Sequence, residues 1–247
     1  MAVRAPALLV ALGDLVFPDC CPGCGVRSLP PACAGCLRAL AGPARQRPPD
    51  PPPPGLPAPW AVTAYAGVAR ALVVAHKEHG RLGLGAPLGV ALGRAAVAAA
   101  ASAGDQPSLV LVPVPSSPSS VSMRGHDPLG RITRAAARWL HAHGCVASVV
   151  PALRHARSVV DQSGLSYAAR ADNLAGAMTV RPGARRQLAR LPNGVRLVVV
   201  DDVVTTGATL AESVRALGAA GNRISGTAVI AATERLRPVS DRDGRRH

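Results

Sequence analysis

Two adjacent carboxylates, Asp201 and Asp202, follow the apolar run Leu197–Val200 and precede a loop of small and hydroxylated residues, Thr205, Thr206, Gly207, Ala208 and Thr209. Carboxylates only accept hydrogen bonds, so a neighbouring pair suits the vicinal hydroxyls of a ribose, or a Mg2+ bound to them. The loop leads into an apolar-periodic stretch, Leu210, Val214 and Leu217, that predicts a helix. Free N–H groups and the positive end of the helix dipole at that junction favour a phosphate. The threonine hydroxyls can donate to the same oxygens, and Gly207 lets the backbone come close. A ribose 5-phosphate satisfies both halves. An ordinary strand-to-helix turn with a solvated acidic edge is the blander reading, but such turns rarely join a buried strand, paired carboxylates and a Thr/Gly loop in this order.

A second set of chemistry-bearing residues lies near the start. Five of the six cysteines fall between residues 20 and 36: Cys20, then Cys21-Pro-Gly-Cys24, then Cys33-Ala-Gly-Cys36. Two CxxC turns offer four thiolates to a tetrahedral Zn2+, with Cys21, Cys24, Cys33 and Cys36 as ligands. Cys20 is the spare thiol or takes the place of Cys21. Disulfides suit an oxidising compartment, and a redox CxxC suits a βαβ context that is missing here. Zn2+ is preferred over both. Cys145 stands alone in an apolar stretch and reads as a core thiol.

The elements that must position these residues alternate. Residues 60–66 (WAVTAYA) read as a strand, Val68–His79 as a helix and Gly85–Ser102 as a second helix. Ser108–Val114 reads as a buried strand, Pro128–His143 as a helix and Val146–Leu153 as a strand. After a polar loop and a short helix come a brief strand Ala177–Val180, the strand Arg196–Val200, the helix Thr209–Ala220 and a last strand Ile224–Ala231. This order predicts an α/β fold with a mainly parallel, doubly wound sheet and ligands at the carboxyl ends of its strands. That places the loop Pro115-Ser116-Ser117 beside the threonine loop.

The predicted organisation is an N-terminal helix and zinc-ribbon-like module over 1–42, a Pro-rich linker over 43–59, a main domain over 60–235 and a disordered basic tail over 236–247. The stretch Gly42–Pro59 is too proline-rich for a helix or a central strand and reads as an extended polyproline spacer. Leu8, Leu9, Leu12, Leu15 and Val16 fall at helical spacing, and Asp14 interrupts the run, so a packed helix is expected rather than a signal peptide. The alanine-rich stretch 86–103 is broken by Arg94 and reads as a helix of a soluble protein. No transmembrane span is expected, and the expected location is cytoplasmic.

The chain of 247 residues carries a formal charge of +14, which suits an anionic partner. Lys77 is its only lysine, and the Arg, Ala, Gly and Pro usage is also what a GC-rich genome produces. Charge therefore permits nucleic-acid binding without establishing it. The run Arg181, Arg185, Arg186 and Arg190 reads as a solvated loop. For Lys77 the solvated face of its helix weighs at least as much as a role in the site, and His76, His79, His141 and His143 read as surface residues.

The loop Asp201–Thr209 resembles the phosphoribosyl pyrophosphate (PRPP) loop of type I phosphoribosyltransferases. Val112–Ser117 followed by Arg124-Gly125-His126 resembles the VPVP…RG motif of the ComF/GntX family, a competence-associated branch of that fold. Tyr65-Ala-Gly with Lys77-Glu-His-Gly80 is similar to its Y-x-G…K-x-x-G segment, and Arg154…Gln162…Leu165…Arg170…Asn173 to its R…Q…L…R…N segment. The paired CxxC start and the Pro-rich join agree, so the likeness covers residues 8–232.

The resemblance implies that Asp201 and Asp202 hold the ribose hydroxyls, that the threonine loop takes the 5-phosphate, and that Arg124 and Ser116 meet the pyrophosphate beneath a hood at Gln162–Arg170. It also implies Mg2+ with the PRPP and a part in handling single-stranded DNA during natural transformation, beside competence helicase-type proteins. Thr205 stands where purine-salvage members carry an Asp that exchanges a proton with the base, and threonine cannot do this at neutral pH. One Phe, two Tyr and two Trp leave little to stack on a base. Two expectations follow: a PRPP-binding accessory factor associated with single-stranded DNA, or an active phosphoribosyltransferase with an unidentified nitrogenous acceptor. A PRPP-sensing regulator is the blander third.

Overall fold

Alternating apolar runs become a six-stranded sheet in the computed structural model, which describes residues 20–29, 31–101, 108–156 and 176–233. The strands are β1 (Arg45–Gln46), β2 (Trp60–Ala64), β3 (Leu109–Pro113), β4 (Ala147–Val149), β7 (Arg196–Val204) and β8 (Ile224–Ala232), in the spatial order β1-β2-β8-β7-β3-β4. Every pairing is parallel except that of β1 with β2. The expected doubly wound α/β architecture is thus present.

Helices cover both faces. On one side lie α2 (Gly67–Glu78), α3 (Gly85–Ala100) and α5 (Pro128–Ala142), packed on Leu109, Leu111, Val198, Val200 and Ile230. On the other, α7 (Ala208–Ala219) packs on Val110, Val112, Val199 and Val229, the alternate residues of the same strands. This alternation makes the strands apolar on both faces. Helices α3 and α5 approach closely because Gly89 faces the Ala135 backbone, where an added Cβ would lie 2.9 Å from the Ala135 carbonyl carbon. The window Leu82–Ala100 is long and apolar enough to cross a membrane, but 56% of it is buried within this helix layer.

Several elements depart from the sequence expectation. Strand β7 continues to Val204, so Asp201 and Asp202 sit within the strand rather than after it, still paired with β8 through Asp201↔Val229. The single strand expected over Val146–Leu153 is broken at Pro151, which has no N–H to donate. Its second half becomes β5 (Leu153–His155), which pairs antiparallel with β6 (Met178–Val180) in a separate two-stranded sheet. Arginines 185 and 186 lie on a helix, α6 (Pro182–Ala189), with Pro182 at its first turn, not in a loop. A further helix, α4 (Pro118–Arg124), is capped by Ser117, whose Oγ accepts from Ser120 N–H at 3.1 Å.

The Pro-rich segment lies on the domain. Arg45 and Gln46 extend the sheet edge, and Pro57 C=O accepts from Thr227 Oγ1 at 2.9 Å. The cysteine segment, with its short helix α1 (Ala34–Arg38), joins the body as well: Cys21, Cys36 and Leu40 are buried in one core with Leu72 and Leu92. The expected N-terminal helix, the hood at Gln162–Arg170 and the tail 236–247 lie outside the described residues.

Candidate functional site

Strands β3 and β7 are neighbours in register, Pro113 against Val200, and Val114 N–H donates to Val200 C=O at 3.0 Å. Their carboxyl ends therefore open side by side, and a cavity of about 580 Å3 lies above them. The predicted residues Asp201, Asp202, Thr205, Thr209, Ser116 and Arg124 all line it. Thr206, Gly207 and Ala208 complete the loop without lining the cavity. Asp201 faces it from half-buried backbone, whereas Asp202 is 6% exposed.

Gly207 has a packing reason beside the one expected. It adopts φ +77°, and a Cβ there would meet Leu56 Cδ2 at 2.8 Å and Pro49 Cγ at 2.9 Å. The glycine lets the Pro-rich segment press against the back of the loop. As N-cap of α7 it supplies no capping side chain; Ala208 N–H donates to Thr206 Oγ1 at 3.4 Å, and the dipole end of this 12-residue helix favours an anion.

Lys77, which sequence reasoning left between a site role and a solvated face, is brought to the cavity. Its Nζ donates to Asp202 Oδ2 at 2.7 Å, so this partly exposed side chain lines the cavity. Burial alone would lower the Lys77 pKa, but the charge and hydrogen bond of Asp202 outweigh burial and raise it. Asp201 accepts from the Asp202 N–H at 2.8 Å. Burial, and then the neighbouring Asp202 carboxylate, push the Asp201 carboxyl well above its ordinary value. Two signals were available: a solitary lysine in an arginine-dominated chain, and its place in the Lys77-Glu-His-Gly80 segment.

Arg124 is engaged by Glu78 through Nε–Oε2 and Nη2–Oε1, both at 2.9 Å. Ser116 Oγ donates to Asp127 Oδ1 at 3.2 Å, and the same oxygen caps α5 by accepting from Gly130 N–H. His76 is fully buried, not on the surface as expected, with its ring nitrogens 3.2 Å from Arg81 C=O and 3.4 Å from Pro128 C=O. It continues the stripe of Ala69, Leu72 and Val73 on α2, a periodicity readable in the sequence. His79, His141 and His143 are exposed, and Cys145 is buried as expected. His155 also lines the cavity, with Nε2 placed 3.1 Å from Pro115 C=O.

The four cysteines come together. The Sγ atoms of Cys21, Cys24, Cys33 and Cys36 all lie within 4.8 Å of one another, and those of Cys24 and Cys33 are 3.7 Å apart. Zn–S bonds of about 2.3 Å at tetrahedral angles put sulfurs about 3.8 Å apart, so the set fits Zn2+. Cys20 is exposed and outside the cluster, which selects Cys21 of the two alternatives. Cys33 N–H donates to Cys21 Sγ and Cys36 N–H to Cys33 Sγ, each at 3.4 Å. Burial opposes ionisation of Cys21, yet its backbone donors prevail and bring the thiol down to about 6. Burial and the other sulfurs raise Cys36. Gly23 has to be glycine, because a Cβ would lie 2.7 Å from Cys36 Sγ.

No curated protein matches the chain. Residues 142–244 match the family model of the phosphoribosyl transferase domain, a span that holds β4 to β8, the acidic pair and the threonine loop. The cavity formed by that loop and the ends of β3 and β7 therefore belongs to a protein carrying a phosphoribosyltransferase-type domain.

Proposed function

We propose that the cavity binds PRPP with Mg2+, and that the protein is a ComF-like cytoplasmic factor that also binds single-stranded DNA. One observation carries the first half: acceptor carboxylates, Thr205 and Thr209 at the start of a helix whose N-cap is glycine, and an arginine fork line a single cavity. In this reading Asp201 and Asp202 hold the ribose hydroxyls, and Thr205, Thr206, Gly207, Ala208 and Thr209 wrap the 5-phosphate. Arg124 and Ser116 meet the pyrophosphate. Mg2+, held by the ligand's own oxygens beside the acidic pair, would neutralise the diphosphate charge. Zn2+ at Cys21, Cys24, Cys33 and Cys36 serves structure. The DNA half is supported by the +14 charge and by exposed Arg181, Arg185, Arg186 and Arg190 along α6, whose guanidinium planes can stack on bases. Competence helicase-type proteins are the protein partners this reading expects.

A second reading, an active phosphoribosyltransferase acting on a nitrogenous acceptor, is favoured by His155. With Nε2–H donating to Pro115 C=O, Nδ1 keeps its lone pair, and that buried atom has no hydrogen-bond partner among the described residues. An imidazole acceptor beside the cavity is the kind of group Thr205 cannot supply.

Titration calorimetry of Mg-PRPP into the wild type and the Asp201→Asn/Asp202→Asn variant tests the site. Micromolar binding lost in the variant supports it, and no binding by folded, zinc-loaded wild type refutes it. Salt-sensitive single-strand binding without turnover then favours the accessory factor, whereas pyrophosphate release with one defined base favours the transferase.

A further inference from the structure

Helix α2 ends on two side chains of opposite charge, and each engages a charge that lines the cavity. Lys77 holds Asp202 at 2.7 Å, and Glu78 takes the fork of Arg124 with both of its oxygens at 2.9 Å. A guanidinium uses this same two-point geometry for phosphate, so a diphosphate reaching Arg124 meets a carboxylate already seated there. The burial of the pair is uneven: the Arg124 side chain is 23% exposed and that of Glu78 is 43% exposed. Arg124 leaves α4 at its last residue, just before Gly125 turns the chain at φ +71°, while Glu78 belongs to the neighbouring helix α2. The carboxylate is thus the outer partner, able to swing into water while the guanidinium stays facing the cavity.

We propose that Glu78 is a displaceable counter-ion for Arg124 that sets the affinity of the site for diphosphate groups. Free pyrophosphate must displace Glu78 unaided, whereas a diphosphate tethered to a ribose already held by the acidic pair and the threonine loop displaces it from a fixed position. Glu78 thereby sets a cost on every ligand that uses the fork, leaves ligands that do not reach Arg124 unaffected, and returns to the fork as the diphosphate leaves. This inference rests on the PRPP reading of the cavity.

The test is titration calorimetry on the full-length chain with pyrophosphate, Mg-PRPP and ribose 5-phosphate, comparing wild type, Glu78→Gln, Arg124→Gln and the double variant. Glu78→Gln should tighten pyrophosphate about two- to fivefold, the range a partly exposed ion pair supports, and leave ribose 5-phosphate unchanged. The gain should vanish in the Arg124→Gln background and shrink between about 50 mM and about 500 mM NaCl. Glu78→Asp, too short to reach both nitrogens, should shift pyrophosphate affinity the same way by less, and it carries the test if Glu78→Gln does not fold. Wild type that binds Mg-PRPP while Glu78→Gln leaves pyrophosphate unchanged or weaker overturns the Glu78 role alone. An equal gain with and without Arg124 overturns it too, as a general effect of charge. Folded wild type that ignores Mg-PRPP removes both the reading and this inference.

Discussion

The cysteine cluster and the cavity above β7 are built in opposite ways. The cluster draws its four sulfurs from 16 consecutive positions, Cys21 to Cys36, and N–H groups of the same segment donate to two of them, Cys21 and Cys33. The cavity gathers the ends of β3 and β7, the last turns of α2 and α4, and both strands of the separate two-stranded sheet. Its charges are balanced by partners far away in sequence: Lys77 and Asp202 are separated by 125 positions. A local site is self-sufficient in its geometry. A dispersed site inherits its geometry from the whole sheet, and it leaves charges that a ligand can compete for.

The largest effect should come from breaking the local site. Cys21→Ser removes a sulfur from a cluster whose residues share the core of the main domain, so zinc content and Tm should fall together. The expected loss is at least about 3 kcal/mol, with chelator treatment of the wild type giving the same direction. A wild type that carries no zinc and melts like Cys21→Ser would show that the cluster is packed thiols alone.

Gly207→Ala strikes the dispersed site through its backing. A left-handed conformation and contacts under 3 Å with Leu56 and Pro49 should cost about 1–3 kcal/mol and loosen the threonine loop. Gly35→Ala in the cysteine segment is the matched control, because its Cβ would meet nothing closer than 3.8 Å. Equal melting of the two variants would mean the Pro-rich segment does not brace the loop.

The smallest effect is a trade between stability and binding at Asp201. The folded chain holds this proton more tightly than the unfolded chain does. That contribution is complete below the ordinary value of 3.8 and is lost as pH rises through the raised value. Asp201→Asn keeps the acceptor for the Asp202 N–H and removes the crowded charge, so it should raise Tm by about 2–4 °C at pH 7. The difference should close as the pH falls toward 3.8. A gain that is constant across pH would point to packing instead of charge.

How far each region was legible follows from this contrast. Ligand spacing and tight turns are encoded within a few residues, so the cysteines and the strand–acid–threonine order could be read directly. The apolar runs of β3, β7 and β8 fixed the parallel core because burial on both faces leaves no polar alternation. Ser117-Pro118 and Arg181-Pro182 carried helix-start signals that were readable, and α4 and α6 begin there. The pairing of Lys77 with Asp202 and of Glu78 with Arg124 had no local signature, because only the closing of the sheet brings α2 over β7. The seat of Pro49 and Leu56 against Gly207 was hidden for the same reason.

The position of β2 has a consequence for how the chain is made. Its parallel neighbour is β8, the last strand of the sheet, and Pro57 accepts its hydrogen bond from a residue 170 positions further on. A ribosome finishes the Pro-rich segment long before it makes the strand and loop on which that segment rests. The early quarter of the molecule must therefore wait, with its cysteines already synthesised, until nearly the whole domain has emerged. Metal capture by a segment that needs only its own turns would give that waiting chain a folded foothold before the sheet can close.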